Sequence, residues 1–141
     1  MVWYAAHLVL YFRYKRKRPQ KRFLIWENIV LVQAGSQEEA FAKAEERGRQ
    51  DAAADDTLRL DDEPAELVFA GVRKLVLCQD EDRRPADGTE VSYTEMQVSS
   101  EEAIRKLVVG KPASVTIVDT LPDDEPEVKA ADTPRFAKRS G

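Results

Sequence analysis

Long runs of β-favouring residues alternate along this chain with short, heavily charged connections. V-W-Y-A-A-H-L-V-L-Y-F-R-Y, which opens almost at the first methionine, contains neither Gly nor Pro and predicts a strand over residues 2–14. A second run of similar length, R-F-L-I-W-E-N-I-V-L-V-Q-A, ends at Ala34, and the polar stretch between the two contains Pro19. The most economical arrangement is an antiparallel hairpin with that polar stretch at its tip. The third run, A-E-L-V-F-A-G-V-R-K-L-V-L-C-Q, is apolar on both faces apart from Arg73 and Lys74. It predicts a central strand, bent or bulged at Gly71. Weaker signals predict a short strand near Thr57–Leu60, a tight connection over Asp61–Pro64, a half-exposed strand in T-E-V-S-Y-T-E-M-Q-V and a last short strand in S-V-T-I-V.

Two segments switch to helical spacing. Ser36, after Gly35, is placed as an N-cap with Glu39 as its capping-box partner, which predicts a helix over 37–50 with a narrow face of Ala40, Phe41, Ala44 and Gly48. Further on, Ser99 and Glu102 form the same grammar. Ala103, Ile104, Leu107 and Val108 supply an apolar stripe to bury, and Gly110 stands at C′. The two openings, S-Q-E-E-A-F-A-K and S-S-E-E-A-I-R-K, match at several offsets, and common capping grammar explains this more economically than an internal repeat. The expected fold is therefore α+β: a mainly antiparallel sheet of five to six strands with two helices packed on one face, in the order ββαβββαβ. It forms a single domain over 1–118. Residues 119–141, rich in Pro and charge, are expected to be a disordered tail.

Charge changes this picture at one place. Seven of the twenty-two Lys and Arg, namely Arg13, Lys15, Arg16, Lys17, Arg18, Lys21 and Arg22, fall within ten residues at the expected hairpin tip. The other fifteen face twenty-six Asp and Glu, so the net charge of −4 conceals a cationic protrusion on a body of about −11. These residues, with Trp3 and Trp26 on the flanking strands, are the candidate binding set. An acidic protein surface suits the tip. Nucleic acid is the alternative, with phosphates on the cations and bases on nearby rings, although the acidic body would repel a long polyanion. A solvated turn without a partner is the plain alternative to both.

A second candidate set is polar. His7, Glu27, Asn28 and Arg73 interrupt apolar strands, and strict strand parity places Leu75 and Leu77 on the same face as Arg73. Because an unpaired charge among core positions is costly, the economical expectation is that Glu27 and Arg73 pair across the sheet, with His7 or Asn28 meeting the remaining valences. One histidine and one cysteine cannot build a typical zinc site, and no phosphate-binding glycine motif occurs. No catalytic grouping is apparent around His7 in the sequence. No cofactor or metal is expected, and an enzyme working from His7, Glu27 and Arg73 is the least favoured function. Cys78, inside an apolar run, is expected to be a small buried hydrophobe in a reducing cytoplasm. The first apolar run is about half a membrane span in length, so no membrane association is expected.

W-Y-A-A-H-L near the start, W-E-N-I-V-L-V-x-A-x-S-x-E-E-A in the middle, and F-A-G-V-R-K-L followed by D-G-T-E-V-S-Y-T-E occur in this order. Together they resemble a family of small bacterial proteins classed as the domain of unknown function numbered forty-two eighty-eight, over about residues 3–118. The resemblance implies a bacterial protein and brings no activity. The basic stretch and the charged tail are not features that this resemblance accounts for. The functional expectation is a cytoplasmic binding or accessory protein, immunity-like or inhibitor-like, that recognises another protein through the sheet face or the cationic hairpin. A long edge strand is also compatible with a homodimer.

Overall fold

The computed structural model describes residues 2–78 and 85–119, and every structural statement below concerns these. Most of the charged loop before Pro85, and the tail from residue 120, lie outside the described residues. The elements are β1 (Val2–Tyr14), β2 (Ile25–Ala34), α1 (Gln37–Ala52), β3 (Arg59–Leu60), β4 (Glu63–Leu77), β5 (Met96–Gln97), α2 (Glu101–Val108) and β6 (Thr116–Ile117). The fold is α+β, with a four-stranded antiparallel sheet in the order β2-β1-β4-β3 and a separate antiparallel pair, β5-β6. The alternating segment after Gly88 pairs only at Met96 and Gln97, and its earlier residues are irregular.

Register assigns side chains to the two faces of the sheet. Ala6, Leu8 and Leu10 of β1 share a face with Val72 and Leu75 of β4, and α1 closes it with Ala40 and Ala44. Phe41, Leu67 and Phe69 pack around this core. The helix starts where expected: Ser36 Oγ accepts from Glu39 N–H at 3.1 Å, and Glu39 Oε1 accepts from Gly35 N–H at 2.7 Å. Close approach of α1 depends on Gly48, where a Cβ would stand 2.3 Å from the Phe69 ring.

β4 carries two irregularities. Lys74 lies opposite His7 and Val72 opposite Leu8, so Arg73 is an extra residue in a bulge; Ala70 is extra in the same way between Gly71 and Phe69. Gly71 adopts φ 149°, which a residue with a side chain rarely does. The bulge overturns the parity expectation for Leu75, which returns to the helix-facing core as the partner of Ala6. The turn from β3 into β4 has positive φ at both central residues, Asp61 (52°) and Asp62 (64°), the backbone of a type I′ hairpin.

The second helix departs from expectation. Ser100 rather than Ser99 caps it, accepting from Ala103 N–H at 3.1 Å, and Gly110 takes the left-handed conformation (φ 80°) that terminates it. Its apolar stripe is not buried: Ile104 is 48% exposed and Val108 78%. Among the described residues α2 makes no extensive contact with another helix or strand, so its amphipathic spacing meets no core there.

Replacing Gly48 by Ala raises intrinsic helix propensity yet drives a methyl into Phe69. Chemical denaturation is expected to show Gly48→Ala destabilised by about 1–3 kcal/mol. Unchanged or increased stability would mean that α1 does not sit this close to the sheet.

Candidate functional site

The face of the sheet opposite α1 is built around charge. His7 is fully buried there, and Glu27 faces the same way because its register partner is Val9. The bulge turns Arg73 and Lys74 onto this face together. Glu27 Oε2 accepts from His7 Nδ1–H at 2.6 Å and from Arg73 Nη2 and Nε at 2.6 and 2.9 Å. Arg73 Nη1 donates to Asp119 Oδ1 at 2.7 Å, and Asp119 Oδ2 accepts from Lys74 and from Glu95 N–H. The Lys74 ammonium also donates to the Tyr93 carbonyl and lies 3.6 Å from the centroid of the Tyr93 ring. Because a carboxylate holds Nδ1, His7 is the Nδ1–H tautomer, and its Nε2 accepts from the Ser92 hydroxyl.

With His7 neutral, two carboxylates face two cations and the cluster is charge-balanced. Burial lowers the His7 pKa and outweighs its bond to Glu27, so the ring is uncharged at neutral pH. Burial alone would raise the Asp119 carboxyl. Hydrogen bonds from Arg73, Lys74 and the Glu95 backbone outweigh it and hold Asp119 at about 2. The same contest, won by Arg73 and His7 over burial, lowers Glu27.

The structure thus brings together His7, Glu27 and Arg73. It does not bring Asn28, whose register partner is Leu8 and which lies exposed on the α1 side of the sheet. Lys74, Ser92, Tyr93 and Asp119 complete the cluster and escaped the sequence reading. Asp119, assigned there to the tail, belongs to the folded body through these bonds. Lys74 left a signal, as the second charge in an apolar run. Ser92 and Asp119 left none, being ordinary polar residues until the chain folds back.

The basic segment is a second site. Arg13, directly opposite Glu66 in register, bonds to it at 2.8 Å, and Arg16 bonds to both Glu63 oxygens at 2.9 and 3.0 Å while stacking 4.2 Å from the Tyr14 centroid. Lys15 donates to the Asp56 carbonyl, and Tyr14 to Asp61. The Gln20 side chain folds the loop back by accepting from Tyr14 N–H and donating to the Phe12 and Arg22 carbonyls. Part of the cationic protrusion is therefore neutralised by the acidic start of β4. Lys17, Arg18, Lys21 and Arg22 have no carboxylate partner among the described residues. Arg16, Arg18, Lys21 and Arg22 line a cleft of about 510 Å³ with Tyr14, Pro19, Gln20 and Asp61.

The tryptophans are split between faces. Trp26, half-exposed on the α1 side, meets Phe12 edge-on at 4.9 Å, while Trp3 lies on the His7 side, partly buried. Cys78 is buried, which raises its thiol pKa. Among the described residues no group of three or more His, Cys, Asp or Glu converges as a metal site, and no helix is long and apolar enough to cross a membrane.

Removing Asp119 leaves a buried ammonium and a guanidinium short of partners, so Asp119→Ala is expected to cost about 3 kcal/mol in urea denaturation. A loss below about 1 kcal/mol would show the contacts to be marginal, as at an exposed ion pair. Acid dependence follows from the same groups. A carboxyl with a depressed folded pKa contributes stability that is complete above its unfolded value near 4 and is lost as pH falls toward about 2. His7, whose folded pKa is also depressed, adds destabilisation as pH falls below its unfolded value of 6.5. Denaturation midpoints across pH 7 to 2 are expected to fall in these two windows, and His7→Gln should flatten the upper one. An unchanged upper window in that variant would remove His7 from the account.

No curated protein and no solved structure matches the chain. One family model does, over residues 3–92, a stretch that contains β1 through β4 and ends at Ser92, before α2 and β6. The match covers His7, Glu27, Arg73, Lys74 and Ser92, as well as the whole basic segment, and leaves Asp119 outside. On this evidence the chain belongs to the family described as Domain of unknown function (DUF4288).

Proposed function

We propose that this protein is a protein-binding module whose cationic loop receives an acidic segment of its partner. The observation that carries this reading is the sorting of charge at the loop. The carboxylates of β4 occupy Arg13 and Arg16, while Lys17, Arg18, Lys21 and Arg22 carry no such partner among the described residues. Gln20 and the two ion pairs hold the loop in place, so little ordering entropy is lost when a ligand docks. A partner with mixed acidic and apolar residues also finds Leu24 exposed immediately beyond the loop. An immunity-like or inhibitor-like protein in the bacterial cytoplasm is one form this role takes.

A structural role fits the polar cluster better than catalysis does. Glu27, His7 and Ser92 have the connectivity of a nucleophile relay, with acid on Nδ1 and hydroxyl on Nε2. His7 is nevertheless wholly buried, and Arg73 takes the same Glu27 oxygen that holds the ring. The cluster joins two parts of the chain, which is a structural task.

Fluorescence anisotropy with a labelled peptide of alternating Glu and Leu, set beside a labelled oligo-thymidine, tests the proposal. Peptide binding is expected to weaken steeply between 50 and 300 mM salt and at least tenfold when Lys17, Arg18, Lys21 and Arg22 are all changed to Ser. Equal binding by the variant would overturn the role of the loop. Binding of the oligonucleotide alone would replace the protein partner by nucleic acid.

A further inference from the structure

Two apolar surfaces of this chain stand uncovered on elements that ordinarily bury them. The first is a row on β2. Phe23 meets Tyr11 of β1 edge-on at 5.6 Å, and Ile25, Ile29 and Leu31 follow along the strand on the same side as His7. All four β2-side residues are exposed, from 38% at Leu31 to 58% at Ile25, and the one charge among them, Glu27, is neutralised by Arg73. The second is the stripe Ile104, Leu107 and Val108 on α2, continued by Val109.

Each surface is what the other lacks. On the sheet face opposite α1 the segments at Ser92–Tyr93 and Asp119 bury His7 and Lys74 but leave the β2 row exposed, while the amphipathic α2 has no extensive packing on the described elements. Within one chain α2 does not bury the row: the segments before and after it are fastened to the sheet by Ser92 on His7 and by Asp119 on Arg73 and Lys74, both surfaces are exposed, and α2 makes no extensive contact with a strand among the described residues. We propose that a second copy of this chain completes the packing, the α2 of each copy lying across the Phe23–Leu31 row of the other.

A two-fold arrangement of this kind uses both surfaces twice, which makes it closed and self-complementary. Area supports the assignment. A standard interface buries about 800 Å² per partner, and at their present exposures the β2 row and the α2 stripe of one chain together present apolar surface of that order. The cationic loops, which adjoin the β2 rows, would then be carried in pairs, and a partner with two acidic segments would gain avidity.

Sedimentation equilibrium on the full chain is the test. A dimer is expected at micromolar concentration, and Ile29→Asp and Leu107→Asp are each expected to shift it to monomer by at least tenfold in dissociation constant. Both sites are exposed, so the circular dichroism spectrum should be unchanged, with the thermal midpoint lowered only by the stabilisation that the dimer itself supplied. Mild oxidation of an equal mixture of Ile29→Cys and Leu107→Cys chains is expected to cross-link unlike copies in preference to like ones. A wild-type monomer at all concentrations would overturn the proposal. So would a dimer that survives Leu107→Asp, or Ile29→Cys cross-linking chiefly to itself, which would signify pairing of β2 edges instead.

Discussion

Five polar side chains on the face of the sheet opposite α1 set the terms for the rest of the molecule. His7, Glu27, Arg73, Lys74 and Asp119 are each costly to bury alone, and together they balance in charge and satisfy one another. The cluster does more than neutralise itself. His7, Glu27, Arg73 and Lys74 come from the sheet, while Ser92, Tyr93 and Asp119 come from the irregular chain around α2. The C-terminal unit is therefore fastened to the sheet by hydrogen bonds and ion pairs, whereas α1 is fastened by Ala, Leu and Phe contacts on the other side. An apolar core tolerates exchange of similar side chains, but a charge cluster does not tolerate loss of one member.

A single extra residue in β4 makes this possible. In a regular strand Arg73 and Lys74 would point to opposite faces, and one of the two charges would enter the α1 core. The bulge between His7 and Leu8 lets both face the cluster and returns Val72 and Leu75 to the apolar side. Gly71, with its positive φ, sits at the start of the correction.

Local pattern in the sequence carried the long elements. The apolar runs of β1 and β4, the Ser36 cap of α1 and the hairpin between β1 and β2 follow from residue type and spacing alone, because their signals are strong and close in sequence. A bend or bulge at Gly71 was legible, but not which residue would be extra, and strict parity therefore misplaced Leu75. Half of the cluster was visible as charges stranded in apolar strands. Ser92 and Asp119 were not, since a loop residue gains its role only from a fold-back of eighty-five residues to His7, or of forty-five to Lys74. The stripe on α2 was legible as a helix face; that the described residues leave it exposed was not.

The family match extends through β4 and the loop to Ser92, and the cluster straddles its end. The C-terminal unit lies almost wholly beyond that point and depends on the sheet through a few polar bonds, so its stability should be separable from that of the rest. Native-state hydrogen exchange on Lys74→Met, compared with the wild type, measures this most directly. Amides of α2, β5 and β6 are expected to lose protection well before those of β1, β2 and α1. Equal loss across all elements, or retained protection in α2, would contradict the view that the buried ion cluster holds the C-terminal unit in place.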